Sequence, residues 1–128
     1  MKFALMVNGS PYRSQGALSA CRFAMAAVEQ GHQVLRVFFH GDGVYNAVRD
    51  AVPPADEIQL PQLWRDLARD HGVDLAVCSA AAERRGVLGE QGEDMEAFPA
   101  VADGFRVAGL GLWMDACLAA DRVIVFHG

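Results

Sequence analysis

The sequence predicts an α/β protein: a single three-layer α/β/α domain over residues 1–128, built on a mostly parallel sheet of four to five strands. Short apolar runs at 2–8 (KFALMVN), 33–39 (QVLRVFF), 74–77 (DLAV) and 122–126 (RVIVF) are separated by segments whose apolar residues recur every three or four positions. Apolar strands alternating with helical segments are the pattern of a parallel sheet covered on both faces. A chain of 128 residues also holds about one domain, since domains commonly run to roughly 100–150 residues.

Each element has its own signal. The first run is closed by Gly9-Ser10-Pro11, so it reads as a buried strand ending in a turn. Over 15–30, Ala17, Ala20, Cys21, Ala24, Met25 and Val28 share one helical face, and Gly31 ends the helix. The β-branched and aromatic run at 33–39 is a second strand, followed by the turn Gly41-Asp42-Gly43. A short helix over 44–49 is expected until Pro53 and Pro54 break the pattern. Leu60, Leu63, Trp64 and Leu67 mark a helix over 60–70 with Gly72 as its stop. A third strand at 74–77 leads into Cys78. Residues 86–104 mix Gly, Glu, Asp and Pro without a period and read as a mobile acidic loop. A helix from about 107 to 120 and a strand at 122–126 complete the pattern.

Composition excludes several classes of function. The net charge of −5, from 16 acidic against 11 basic residues, argues against unaided nucleic-acid binding, which depends on neutralising phosphates. No run approaches the ~20 apolar residues of a membrane span, and the opening MKFALMVNG lacks the long apolar stretch of a secretory signal. A cytoplasmic protein is expected. Its three cysteines, Cys21, Cys78 and Cys117, have no C-x-x-C spacing, and its four histidines are scattered; neither a disulfide framework nor a metal site is indicated. No metal and no organic cofactor are expected. The apolar fraction of 52% excludes glycine, yet exceeds the roughly 45–50% usual with glycine included, which suggests a subunit that buries an interface.

In such folds chemistry gathers at the carboxyl ends of the strands, which selects three loops: NGSPYRSQG, HGDGVYN and CSAAAERRG. Cys21 lies in a stripe of alanines, and Cys117 shares a helical stripe with Leu110 and Met114; both read as core thiols. Cys78 stands where a strand ends and a short helix begins, a position that favours a thiolate. A helix terminus contributes only ~0.3–1 kcal/mol, too little to make an ordinary thiol mostly thiolate at neutral pH. On position alone, packing and chemistry both remain open for Cys78. Arg84 and Arg85 read either as assistants to that thiolate or as ordinary cations at a helix C-terminus. His40, Asp42 and Tyr45 sit in a loop that could reach Cys78 at the strand ends, but read rather as polar decoration of their turn. The first loop supports a rival reading: Ser10 and Ser14 at a helix N-terminus form a phosphate cradle like that of flavodoxin-like FMN-binding modules, or simply a turn with a serine cap.

The segments KFALMVNG, VFFHGDGVYNA, HGVDLAVCSAAAERRGV and AGLGLWMDACLAADRVIVF together resemble the DsrE-like family of small sulfurtransferases, in particular the branch that works in the TusBCD sulfur-relay complex. The resemblance spans nearly the whole chain, with departures in the turn at 9–16 and in the loop at 88–104. It implies that Cys78 is the active cysteine, an exposed thiol that receives a sulfane sulfur as a persulfide and passes it on. It also implies TusB-like and TusC-like subunits in a heterohexamer, a TusA-like donor, a TusE-like acceptor, and final use in 2-thiolation of the tRNA wobble uridine. A DsrE-type role in dissimilatory sulfur oxidation is the alternative within the family.

Overall fold

The computed structural model of the chain describes residues 1–87 and 101–128. Five strands form one all-parallel sheet in the order β4-β3-β2-β1-β5: β1 Lys2–Val7, β2 Gln33–Phe39, β3 Asp74–Cys78, β4 Phe105–Ala108 and β5 Arg122–Phe126. The helices are α1 Gly16–Glu29, α2 Leu60–His71, α3 Ser79–Arg84 and α4 Leu110–Ala119, with a 3₁₀ segment at Gly41–Ala47. Consecutive strand residues face opposite sides of a sheet, and the two phenylalanines ending β2 show where the layers lie. Phe39 meets Trp64 of α2 edge-on at 5.1 Å, whereas Phe38 meets Trp113 of α4 at 6.0 Å. Helices α1 and α2 pack side by side on one face, and α4 covers the other. The expected α/β layering is thus present, with every strand parallel.

Two expectations change. Residues 105–108 form β4, which takes 107 and 108 from the start expected for the following helix, so that helix begins at Leu110. The short helix expected over 44–49 is the 3₁₀ segment, which starts three residues earlier. Within the stretch read as a loop, Val101 bridges Val48, and the Ala102 amide donates to the Ala47 carbonyl at 2.8 Å. The acidic run at 88–100 lies outside the described residues. Among those described, no helix is long and apolar enough to cross a membrane.

The reason β4 was hidden is electrostatic. Four residues carry little periodic signal, but Arg106 and Arg36 both reach the Asp74 carboxylate, at 2.7 and 2.6 Å. Asp74 and Arg36 are in register on adjacent strands, and Arg106 pairs in register with Ala76. Arg36 also donates through Nη1 to the Leu112 carbonyl at 2.6 Å, so the same carboxylate holds β2, β4 and the first turn of α4. Partial burial alone would raise the Asp74 pKa, but the hydrogen bonds from Arg106 and Arg36 outweigh it and hold the carboxyl below its ordinary value.

A second polar junction lies at the carboxyl end of the sheet. Asn46 is fully buried, and its Nδ2 donates to the Gly9 and Gly43 carbonyls at 3.1 and 2.8 Å, while its Oδ1 accepts from Trp64 Nε1 at 3.3 Å. Gly43 lies so close to β1 that a Cβ there would overlap the Val7 carbonyl oxygen.

Asp74→Asn is expected to lower stability at neutral pH by about 1–3 kcal/mol, the range for hydrogen bonds to a charged group. Because the folded-state pKa is depressed, the contribution is complete above the ordinary carboxylate value and disappears as pH falls through the folded value. Urea denaturation of the two proteins should therefore diverge near neutrality and converge in acid. Asn46→Ala strands a buried indole donor and two carbonyls, and is expected to cost about 2–4 kcal/mol on the same measurement.

Candidate functional site

The carboxyl ends of β1, β2 and β3 carry the loops that the sequence singles out, and the structure brings two of the expected side chains together. Cys78 is the last residue of β3 and the residue preceding the first turn of α3. Its extended backbone (φ −61°, ψ 117°) ends the strand, and the chain enters the helix through Ser79. The helix is six residues long and closes where Gly86 adopts a positive φ of 69°, with the Val87 amide returning to the Ala82 carbonyl at 2.9 Å. Ala81 and Ala82 are buried, so α3 is held by small apolar residues packed at the end of the sheet.

The exposed thiol implied by the family resemblance is not what the fold presents. Cys78 is only 3% exposed. Cys78 lies in the apolar core cluster, at the end of an interior strand that pairs in register with Ala108 of β4.

Of the two readings of the arginines, the structure favours cations at the helix C-terminus over assistance to a thiolate. Arg85 Nε donates to Asp42 Oδ1 at 2.9 Å, and its Nη1 donates to the Ala81 carbonyl at 3.2 Å. Its charge is directed to the 3₁₀ segment and not back to Cys78. Asp42, read as turn decoration, is thereby the anchor that ties the end of α3 to the segment following β2. The pair is separated by 43 residues, so no local spacing could have revealed it. Arg84 stays on the exposed surface, and the half-buried Tyr45 packs against the core. His40 uses its backbone amide to bond the Val7 carbonyl at 3.0 Å.

The other cysteines separate by environment. Cys21 is fully buried, and that desolvation, opposed only weakly by Arg22, pushes its thiol pKa up to about 12. It behaves as the core residue that its alanine stripe predicts. Cys117 is only half-buried, with its pKa also raised by burial and partly lowered by a backbone hydrogen bond. Its stripe is not core: Leu110 and Met114 are exposed, and Ala116 is the buried residue of α4. The helix rests on the sheet through its Trp113 side and turns the other side outward. Together with Leu118, Val123 and Val125, this leaves an exposed apolar surface across α4 and the edge strand β5.

Among the described residues no cluster of His, Cys, Asp and Glu could hold a metal ion. What the site offers is one thiol at the junction of strand and helix, in a setting fixed by an ion pair. A thiolate there can attack a sulfur–sulfur bond, accept the outer sulfur and release it to another thiol, chemistry that needs a single nucleophile.

The sequence profile of the DsrE/DsrF-like family matches residues 1–126. A Vibrio parahaemolyticus protein named sulfurtransferase TusD homolog is 44% identical over 98% of this chain and 98% of its own length. Sulfurtransferase TusD of Salmonella paratyphi B is 42% identical over 98% of this chain and all of its own. A candidate sulfurtransferase of Allochromatium vinosum, named DsrE, is 43% identical over 98% of both chains. Among solved structures, the ychN protein of E. coli superposes with a TM-score of 0.81 at 25% identity, covering 98% of this chain and 99% of its own.

Native-state alkylation should follow the burial pattern of Cys21 and Cys117. Cys117 is expected to be labelled slowly in the folded protein, and Cys21 only through global unfolding. Peptide mapping after iodoacetamide treatment, with and without denaturant, measures the order; labelling of Cys21 in the native state would contradict the packing described.

Proposed function

The chain belongs to the DsrE/DsrF-like family, and from that membership we propose that it is a sulfurtransferase subunit that carries sulfane sulfur as a persulfide on Cys78. The observation that carries the reading is the place of Cys78: the one cysteine at the carboxyl end of the sheet, where folds of this architecture hold their chemistry. In the first step the Cys78 thiolate attacks the outer sulfur of a donor persulfide, R–S–SH. The new bond joins Cys78 Sγ to that sulfur, the R–S bond to it breaks, and the donor leaves as R–S⁻. In the second step an acceptor thiolate attacks the terminal sulfur of Cys78–S–SH, and Cys78 leaves as a thiolate. Oxidation state is conserved across the two transfers, so neither oxidant nor cofactor is consumed.

The depth of Cys78 adds a requirement to this scheme. A thiol with 3% exposure must be uncovered before a donor sulfur can reach it in line. The same cover protects the loaded persulfide from small reductants between transfers. The partners in this reading are a TusA-like donor, a TusE-like acceptor, and TusB-like and TusC-like subunits assembled with this chain in the cytoplasm. The exposed apolar surface of α4 and β5 supports a subunit role, because contiguous apolar area is normally covered by protein. The sulfur finally serves 2-thiolation of the tRNA wobble uridine. The comparable identity to DsrE supports sulfur oxidation as the second reading, and the acceptor protein that takes sulfur from Cys78 distinguishes them.

The test is the intact mass of the protein after incubation with a persulfide donor. The wild type is expected to gain one sulfur atom, removable by a thiol reductant, whereas Cys78→Ser is expected to gain none. Equal loading of the two proteins would overturn the assignment of Cys78.

A further inference from the structure

The loop between β1 and α1 has no part in sulfur transfer at Cys78, yet it concentrates the unsatisfied polarity of the molecule. Four buried side-chain polar atoms among the described residues lack a hydrogen-bond partner, and three of them belong to this loop: Asn8 Oδ1, Ser10 Oγ and Ser14 Oγ. Ser10 is 7% exposed, so its hydroxyl is removed from bulk water without a protein partner in exchange. Native proteins rarely leave such groups unsatisfied, because each carries most of its desolvation penalty. All three residues line a polar cleft of about 340 Å³, which Arg13, Asp42 and Gly128 complete. That is the space of roughly ten waters at ~30 Å³ each.

The charge and dipole arrangement selects the sign of a ligand. Among the described residues, Arg13 forms no ion pair, whereas the Asp42 carboxylate is already engaged by Arg85 at 2.9 Å. The 14-residue helix α1 begins behind the loop, and its N-cap residue Gln15 makes no side-chain cap bond. The first amides of such a helix carry partial positive charge and lack intrahelical acceptors. Two serine hydroxyls can turn their protons toward the cleft. Asn8 Nδ2 holds His127 Nδ1 only at 3.4 Å, so exchanging its amide atoms would present a further donor.

Topology places the cleft independently. Strands β2, β3 and β4 lie to one side of β1 and β5 to the other, and the crossover helices α1 and α4 pack on opposite faces. The carboxyl end of β1 is therefore the switch point of the sheet, where ligands of open α/β folds bind. We propose that this cleft binds a tetrahedral oxyanion of the phosphate class, either the free ion or the terminal group of a phosphate monoester. Arg13 supplies the counter-charge and Ser10 and Ser14 supply hydroxyl donors, with the positive end of the α1 dipole following the loop.

The experiment is a ³¹P NMR titration of inorganic phosphate with the full chain at constant ionic strength, repeated with phenyl phosphate. Saturable binding is expected, weakened about tenfold, or about 1.4 kcal/mol, in Arg13→Gln. A second variant guards against misfolding: Ser10→Ala deletes an unsatisfied hydroxyl, so in the absence of phosphate its thermal midpoint should equal or exceed that of the wild type. The same variant should lose most of the stabilisation that phosphate confers. Tighter binding of phenyl phosphate assigns the site to a monoester, and tighter binding of the free ion assigns it to inorganic phosphate. No saturable binding, or equal affinity in wild type and both variants, overturns the proposal.

Discussion

The carboxyl end of this sheet depends on one buried amide. Asn46 presents two donors and one acceptor in a space sealed from water, and each finds its partner on a different element: the turn after β1, the 3₁₀ segment and α2. An aspartate of the same shape would offer no donor to the two carbonyls and would bring a charge into the core. A leucine would leave the Trp64 indole donor stranded. The close approach of Gly43 to the Val7 carbonyl completes the joint, because a side chain at that position would lift the 3₁₀ segment away from β1. Loops that would otherwise be free to move relative to one another are thus referred to a common fixed point.

Everything chemically distinctive about the molecule is built outward from that point. The 3₁₀ segment that Asn46 secures presents Asp42, Asp42 fixes Arg85, and Arg85 closes the turn of α3 that begins at Cys78. On the other side, the turn whose Gly9 carbonyl Asn46 holds continues into the cleft lined by Ser10, Arg13 and Ser14. The thiol and the polar cleft therefore share a scaffold, and Asp42 takes part in both settings. A single-nucleophile relay needs little besides such positioning, because the reactive sulfur arrives with its own weak S–S bond. In the proposed relay, the burial of Cys78 limits when that sulfur meets water or a partner.

The sheet and the main helices were readable because burial imposes a pattern on consecutive residues. Strands β1, β2 and β3 are mainly apolar runs, as interior parallel strands must be, the edge strand β5 is apolar as well, and α1 and α2 carry apolar stripes. Strand β4 escaped because it is four residues long with an arginine in its middle, and its stability comes from Asp74, 32 residues earlier. The stripe of Leu110, Met114 and Cys117 misled because a helix that turns an apolar face outward has the same apolar period as one that faces its own core.

By itself, the sequence determined the α/β class, the succession of most elements and the candidate status of Cys78, since these rest on local periodicity and on residues within a turn of one another. Tertiary structure decided that Cys78 is covered, that Arg85 belongs to Asp42, that β4 exists, and that three unpartnered polar atoms converge on one cleft. Those outcomes depend on which distant segments become neighbours. Hydrogen bonds and ion pairs act over a few ångströms in space but have no characteristic spacing along the chain.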